Sequence, residues 1–282
     1  MPHVYATLAD LKNYIRDGGA SDLGTTNDTL MLATLESVSE TIDARMERSA
    51  FGSGFGPRTG TNKYDGNAGN KLRLRDDLLT VTSVTIRGST AASATQTPVA
   101  DTDYYLLNAD GVYSPGPYRT LLLHLQGISA FGTGYRVTDI AGTWGYQNVT
   151  TTATATASAI GTTTTTSVTV SAGTEFSAGQ TLLIDSEQLY VSAVSGTTLT
   201  VKRGQNGTTA ATHSAAAAIA IYQYPSSVRD VCIRLALRRW KARDGGADGM
   251  IAGEGIPGAA PREGEETIIR RSLFGLRLKE MV

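Results

Sequence analysis

Apolar residues in this 282-residue chain recur with two different periods, and the period changes twice. Near both ends they return every three or four positions, the spacing of one helix face. Between those regions they alternate or form short runs bounded by Gly, Asp and Asn, the pattern of β-strands and turns. The first helical stretch is 7–16, where Thr7 is placed to cap, Asp10 lies in the first turn, and Leu8, Leu11 and Ile15 share a face. The second is 27–48, opening at Asn27 or Asp28, with Leu32, Leu35, Val38, Ile42 and Met46 on one side. Glu36, Glu40, Asp43, Arg45 and Glu47 cover much of the other. The third starts after Pro225 and runs to 243. Val228, Val231, Cys232, Leu235, Ala236 and Trp240 line one face, and Asp230, Arg234, Arg238 and Lys241 line the other. Strands are expected at 62–65, 71–75, 80–87, 103–107, 119–125 and 135–141, with turns at Asp65-Gly66, Asp76-Asp77 and Asp110-Gly111. The expected class is α+β, a small helical core with β-hairpins.

At Thr150 the composition shifts. Residues 150–166 are almost entirely Thr and Ala, which reads as a low-complexity linker or a weakly specified edge strand. Short strands follow at 167–170, 181–185, 187–192, 197–202 and 217–222, an all-β module shaped as a small sandwich or barrel. Residues 244–264, rich in Gly, Pro and Ala, carry no periodicity and read as an arm. The tail regains Ile268, Ile269, Leu273, Phe274, Leu276 and Leu278, too short a stretch to fold alone. The expected organisation is a core in two parts, 1–149 and 223–243, interrupted by the module at 150–222 and followed by an arm and docking tail at 244–282.

Composition narrows the function classes. The formal net charge of −1 supplies no global field for nucleic acid or membranes. One cysteine, Cys232, excludes an internal disulfide. With His3, His124 and His213 scattered, it also argues against a structural zinc site. The first residues lack the basic-then-apolar pattern of a signal peptide, and no apolar run reaches the roughly 18 residues of a membrane span. Synthesis in a cytoplasm and no membrane contact are expected.

Four stretches, in order, carry a family resemblance. They are Tyr5-Ala6-Thr7-Leu8-Ala9-Asp10-Leu11-Lys12; Asp28-Thr29-Leu30-Met31-Leu32 through Ile42-Asp43-Ala44-Arg45; and Lys63-Tyr64-Asp65-Gly66 through Leu72-Arg73-Leu74 and Val81-Thr82-Ser83-Val84. The fourth is Ala141-Gly142-Thr143-Trp144-Gly145-Tyr146, resumed at Pro225-Ser226-Ser227-Val228 and running to Trp240-Lys241-Ala242-Arg243. Together they resemble the tailed-phage head–tail connector (adaptor, or head-completion) proteins. In that family a Gly-Trp or Gly-Tyr step leads almost at once into Val-Pro and the last helix, whereas here Asn148 to Tyr222 intervene. An insertion at one surface loop accounts for the gap.

The resemblance implies a structural virion protein of the neck, between portal and tail, and not an enzyme. It implies a ring of about twelve subunits closed by heterologous contacts, with DNA passing non-specifically through the lumen. Its partners would be the portal and a downstream neck or tail protein, with no cofactor. Portal docking falls to the tail: Ile268, Ile269, Leu273, Phe274, Leu276 and Leu278. Arg234, Arg238, Arg239 and Lys241 could serve ring or channel contacts, by pairing with acidic residues of the 27–48 helix in the same or a neighbouring subunit, or by touching DNA phosphates. The alternative is an adhesion or decoration protein whose module binds host glycan or a neighbouring virion protein.

Other candidate chemistry reads blandly. Gly52, Gly54 and Gly56 follow a helix and lack the Lys-Ser/Thr of a phosphate loop. Asp185 and Glu187 share a strand face with no histidine close in sequence, and read as surface carboxylates beside a turn. Cys232, on an apolar helix face, reads as a small hydrophobe.

Overall fold

The structure, a computed structural model, describes residues 3–17, 24–46, 54–87, 97–98, 100, 102–108, 111, 116–124, 130–244 and 264–273. The chain divides into two compact units: Met1–Glu47 with Val149–Arg277, and Arg48–Asn148 with Leu278–Val282. Among the described residues there are four α-helices and two antiparallel sheets, of five and six strands, an α+β architecture.

The first unit holds all four helices. Helix α1 (Leu8–Asp17) starts in a reciprocal capping box. Thr7 Oγ1 accepts from Asp10 N at 3.1 Å, and Asp10 Oδ2 accepts from Thr7 N at 2.9 Å. Helix α2 (Asp28–Arg45) buries Met31, Leu35, Val38, Ile42 and the following Met46. Met31 thus takes the position expected of Leu32, which is only half-buried. The expected water-facing side of α2 also needs correction at Asp43, which is 4% exposed. Its carboxylate accepts from the Tyr5 hydroxyl and contacts His3 Nε2 at 2.7 Å, so two partners replace the lost hydration. Helix α3 (Ser226–Asp244) buries every apolar residue of its expected face and packs against α1, α2 and α4 (Glu265–Leu273).

The six-stranded sheet belongs to the same unit, in the order β6-β11-β8-β9-β10-β7. Its strands are β6 (Val149–Ala153), β7 (Ser167–Thr169), β8 (Thr181–Ile184), β9 (Glu187–Ser195), β10 (Thr198–Lys202) and β11 (Ile219–Gln223). Just beyond the two outer strands, Thr156 bridges Val170, so the sheet curls toward itself around Val168, Ile184, Leu189, Val191, Leu199 and Ile219. Of the two readings of the Thr/Ala-rich stretch, linker or edge strand, the edge strand is the one that forms. The stretch contributes β6, paired with β11 from Val149↔Gln223 to Ala153↔Ile219, and then Ile160, which is 2% exposed in that core. The module also touches the helices: Leu8 N donates to Ala178 O at 3.0 Å, and the Tyr190 hydroxyl donates to Glu36 Oε1 at 2.7 Å. At Gly179, with φ +99°, a Cβ would lie 2.5 Å from Val4.

The second unit is the five-stranded sheet, ordered β1-β5-β2-β4-β3. Its strands are β1 (Arg58–Asn67), β2 (Lys71–Ile86), β3 (Tyr104–Asn108), β4 (Tyr118–Leu123) and β5 (Thr133–Trp144). Two expected turns are strand. Asp65-Gly66 lies within β1, and Asp76-Asp77 lies within β2, joining runs expected as separate strands. The first part of β2 pairs with β4 and the second with β5, with the register shifting between Arg73 and Leu78. Asp76 and Asp77 sit in that shift, 1% and 4% exposed, with Asn62 Nδ2 donating to Asp76 at 2.9 Å. The Trp144-Gly145-Tyr146 stretch closes the sheet. Trp144 Nε1 donates to Gly60 O at 3.0 Å, and Gly145, at φ +149°, passes so near Gly56 that a Cβ would lie 2.3 Å from its carbonyl oxygen.

Candidate assembly surface on α3 and α4

Helix α3 carries the basic residues expected to make ring or channel contacts, and the fold distributes them unequally. Arg229 reaches back to α1, donating to Asp10 at 2.6 and 3.2 Å. Arg234 is exposed and pairs with Asp230 one turn earlier, at 3.0 Å. Arg238 is half-buried and Lys241 is exposed.

Arg239 is committed inside its own chain. Its Nε and Nη2 donate to the two oxygens of Glu265 at 3.0 and 2.8 Å, the forked geometry that suits a carboxylate. Its Nη1 and Nη2 also donate to Ser37 Oγ and Thr41 Oγ1, both at 3.0 Å. One side chain therefore joins α3 to α2 and α4. The hydrogen bonds from Arg239 outweigh burial and hold the Glu265 carboxyl below the usual range. On α2 Arg239 finds hydroxyls, and α3 takes carboxylates from Asp10 on α1 and Glu265 on α4. Sequence periodicity places Arg239 on a helix but gives no hint of Glu265, which lies beyond the Gly/Pro-rich stretch.

The tail is split. In α4, Ile269 and Leu273 are fully buried and Ile268 is half-buried. These side chains close the chain's own helical unit. Phe274, Leu276 and Leu278 lie outside the described residues.

Beneath this surface, Cys232 is wholly buried. Burial pushes its thiol up to about 11, against the opposing contact with Ser39 Oγ at 3.6 Å. It packs as a small apolar side chain.

The acidic pair in the module is not the surface pair expected. Asp185 sits at φ +53° in the β8–β9 turn with its side chain 66% exposed, but Glu187 is fully buried. His213, distant in sequence, lies between them, Nδ1 2.7 Å from Asp185 and Nε2 2.9 Å from Glu187. Arg203 donates to both Glu187 oxygens at 2.7 Å, and the Gly204 and Ala211 amides donate at 2.9 Å. Burial alone would raise the Glu187 carboxyl, yet these donors hold it down at about 2. Every oxygen of Glu187 is engaged and none faces solvent, so the cluster is a clip fastening the 203–213 loop to β9. The histidine was invisible to local spacing, because the contact spans 26 residues.

No protein-family model matches the chain, and no curated protein matches it. Among solved structures, a chain in the neck of an empty GTA particle, computed with C6 symmetry, aligns over 51% of this chain and 67% of its own length. The identity is 17% and the TM-score is 0.32. At that TM-score the likeness establishes neither a common fold nor a common role.

Proposed function

We propose that this chain is a structural subunit of a virion neck, a head–tail connector that scaffolds instead of catalysing. The reading rests on the four ordered stretches of sequence. What supports it in the fold is the meeting of α1, α2 and α3 in one unit, although α2 ends at Arg45 and α3 begins only at Ser226. The stretch that the resemblance treats as the final core helix does close on the first two. Arg229–Asp10 and Arg239–Ser37/Thr41 are the polar ties, over an apolar face led by Val231 and Leu235.

Subunits of this kind assemble on a portal ring, and the docking element is the tail. With Ile269 and Leu273 buried in the subunit itself, docking is assigned to Phe274, Leu276 and Leu278, with Ile268 at the edge. Arg234 and Lys241, exposed on α3, are the basic groups available to neighbouring subunits or to passing DNA. Light scattering of the purified chain, alone and with a portal protein, tests the proposal. The expected result is a complex of about twelve chains on the portal. No association at micromolar concentration would overturn it.

A further inference from the structure

We propose that the five-stranded unit carries a binding site for neutral oligosaccharide, built on a bulge in β5. The inference does not depend on the connector reading. In the β1–β5 ladder, Tyr64 faces Thr138 and Gly66 faces Gly134. Between these pairs β1 has only Asp65, while β5 has Tyr135, Arg136 and Val137. The excess forces Arg136 to φ +54°, a left-handed conformation that a side chain disfavours. The bulge is held, not loose. Asp65 Oδ1 accepts from the Arg136 amide at 2.8 Å. Gly66 leaves room where a Cβ would lie 1.6 Å from Gly132 O.

Bulges re-aim side chains, and this one does so sharply. Val137 turns inward, 3% exposed, while Tyr135 is thrust outward at 89%. No other large hydrophobic residue among those described is so exposed. Tyr135 borders a concavity of about 720 Å³, within the range of small-molecule sites. Asn62, Lys63, Asp65, Arg75, Asp76 and Arg136 share its walls. Tyr64 also lines it, 6% exposed, with the Arg75 guanidinium 5.9 Å from its ring centroid.

The chemistry of the walls selects the ligand. Both signs of charge are interleaved: Lys63, Arg75 and Arg136 stand among Asp65 and Asp76, with Lys63 3.6 Å from Asp139 and Asp76 accepting from Asn62. An anion would meet the Asp65 carboxylate, and a greasy ligand would find little apolar surface besides Tyr135. A pyranose offers what remains. Its C–H face can lie on an exposed aromatic ring, and its hydroxyls both donate and accept, so they suit carboxylate, amide and guanidinium alike. Because the bulge's backbone is pinned, the ring is presented without the cost of ordering a mobile loop.

The test uses the full chain, titrated with maltotriose, cellotriose, mannotriose and chitotriose by saturation-transfer NMR and calorimetry. A twelve-residue thymidine oligonucleotide serves as the nucleic-acid control. At least one sugar should bind with Kd below about 10 mM. Tyr135→Ala, at an exposed position, should keep the wild-type Tm and weaken that sugar by at least about tenfold. Tyr135→Phe should stay within about twofold, because it keeps the ring face. The proposal fails if no sugar binds, if Tyr135→Ala binds as tightly as wild type, or if the oligonucleotide alone binds. It also fails if the Ala variant alters only self-association, which would make Tyr135 a protein contact.

Discussion

At Glu187 a side chain with no exposed surface takes hydrogen bonds from Arg203, His213 and two backbone amides. Removing a charge from water is costly, and these donors offset that cost only as a set. Glu187→Gln should therefore lower stability by about 3–5 kcal/mol in urea unfolding, since Arg203 would be left buried without its counter-charge. The pH dependence has a definite sign. The folded carboxyl sits at about 2, against an ordinary 4.5. A group depressed in the folded state stabilises fully above its unfolded value and loses that contribution as the pH falls through its folded value. Wild-type stability should thus decline between about pH 4.5 and 2, and Glu187→Gln should flatten that decline. Cys232 makes an independent residue-scale case. Its buried thiol, pushed up to about 11, should resist a chromogenic disulfide reagent at pH 8 in the folded protein and react promptly in denaturant. Fast labelling of folded protein would contradict its placement between α2 and α3.

Among the elements, α4 most changes the meaning of a stretch of sequence. Its apolar residues look like a free docking tail, yet Ile269 and Leu273 are buried and Arg239 fixes its first turn through Glu265. Two truncations separate the roles. Removing 264–282 should destabilise the helical unit by several kcal/mol, since burial of a single Ile or Leu is worth roughly 2–5 kcal/mol in cavity terms. Removing 274–282 should leave thermal unfolding near wild type while abolishing portal association. Portal binding by the shorter truncation would count against docking through Phe274, Leu276 and Leu278. Strand β2 holds a similar lesson. Asp76 and Asp77 read as a turn because acids favour turns, but they occupy the register shift where one long strand leaves β4 for β5.

On the scale of the whole molecule, the segment 150–222 has its own core, and the strands by which the chain enters and leaves it lie side by side, Val149 opposite Gln223. A short linker can therefore replace it without stretching the chain. The module is nevertheless in contact with α1 and α2 through Ala178, Gly179 and Tyr190. Excision should keep the helical circular-dichroism signal but lower Tm by at least about 2 °C, the shift that the loss of roughly 1 kcal/mol brings to a chain of the remaining length. An unchanged Tm would mean these contacts contribute nothing to the helices; complete unfolding would mean the helices cannot stand without the module.

Helix and strand placement was legible in the sequence because it depends on period. Val228 through Trp240 lie on one face by spacing alone, and the module's strands fall within a few residues of where apolar alternation puts them. Thr7 and Asp10 were equally local, a cap written in neighbouring residues. Tertiary structure decided whatever depends on partners far along the chain. Asp43 is buried because Tyr5 and His3 come to it, Glu187 because Arg203 and His213 do, and Ile269 because α2 and α3 leave a place for it. The exposure of Tyr135 follows from a register mismatch between two strands, which neither strand encodes by itself. Periodicity reports which face a side chain occupies; whether that face meets water, a counter-charge or another element is settled only when distant segments compete for the same volume.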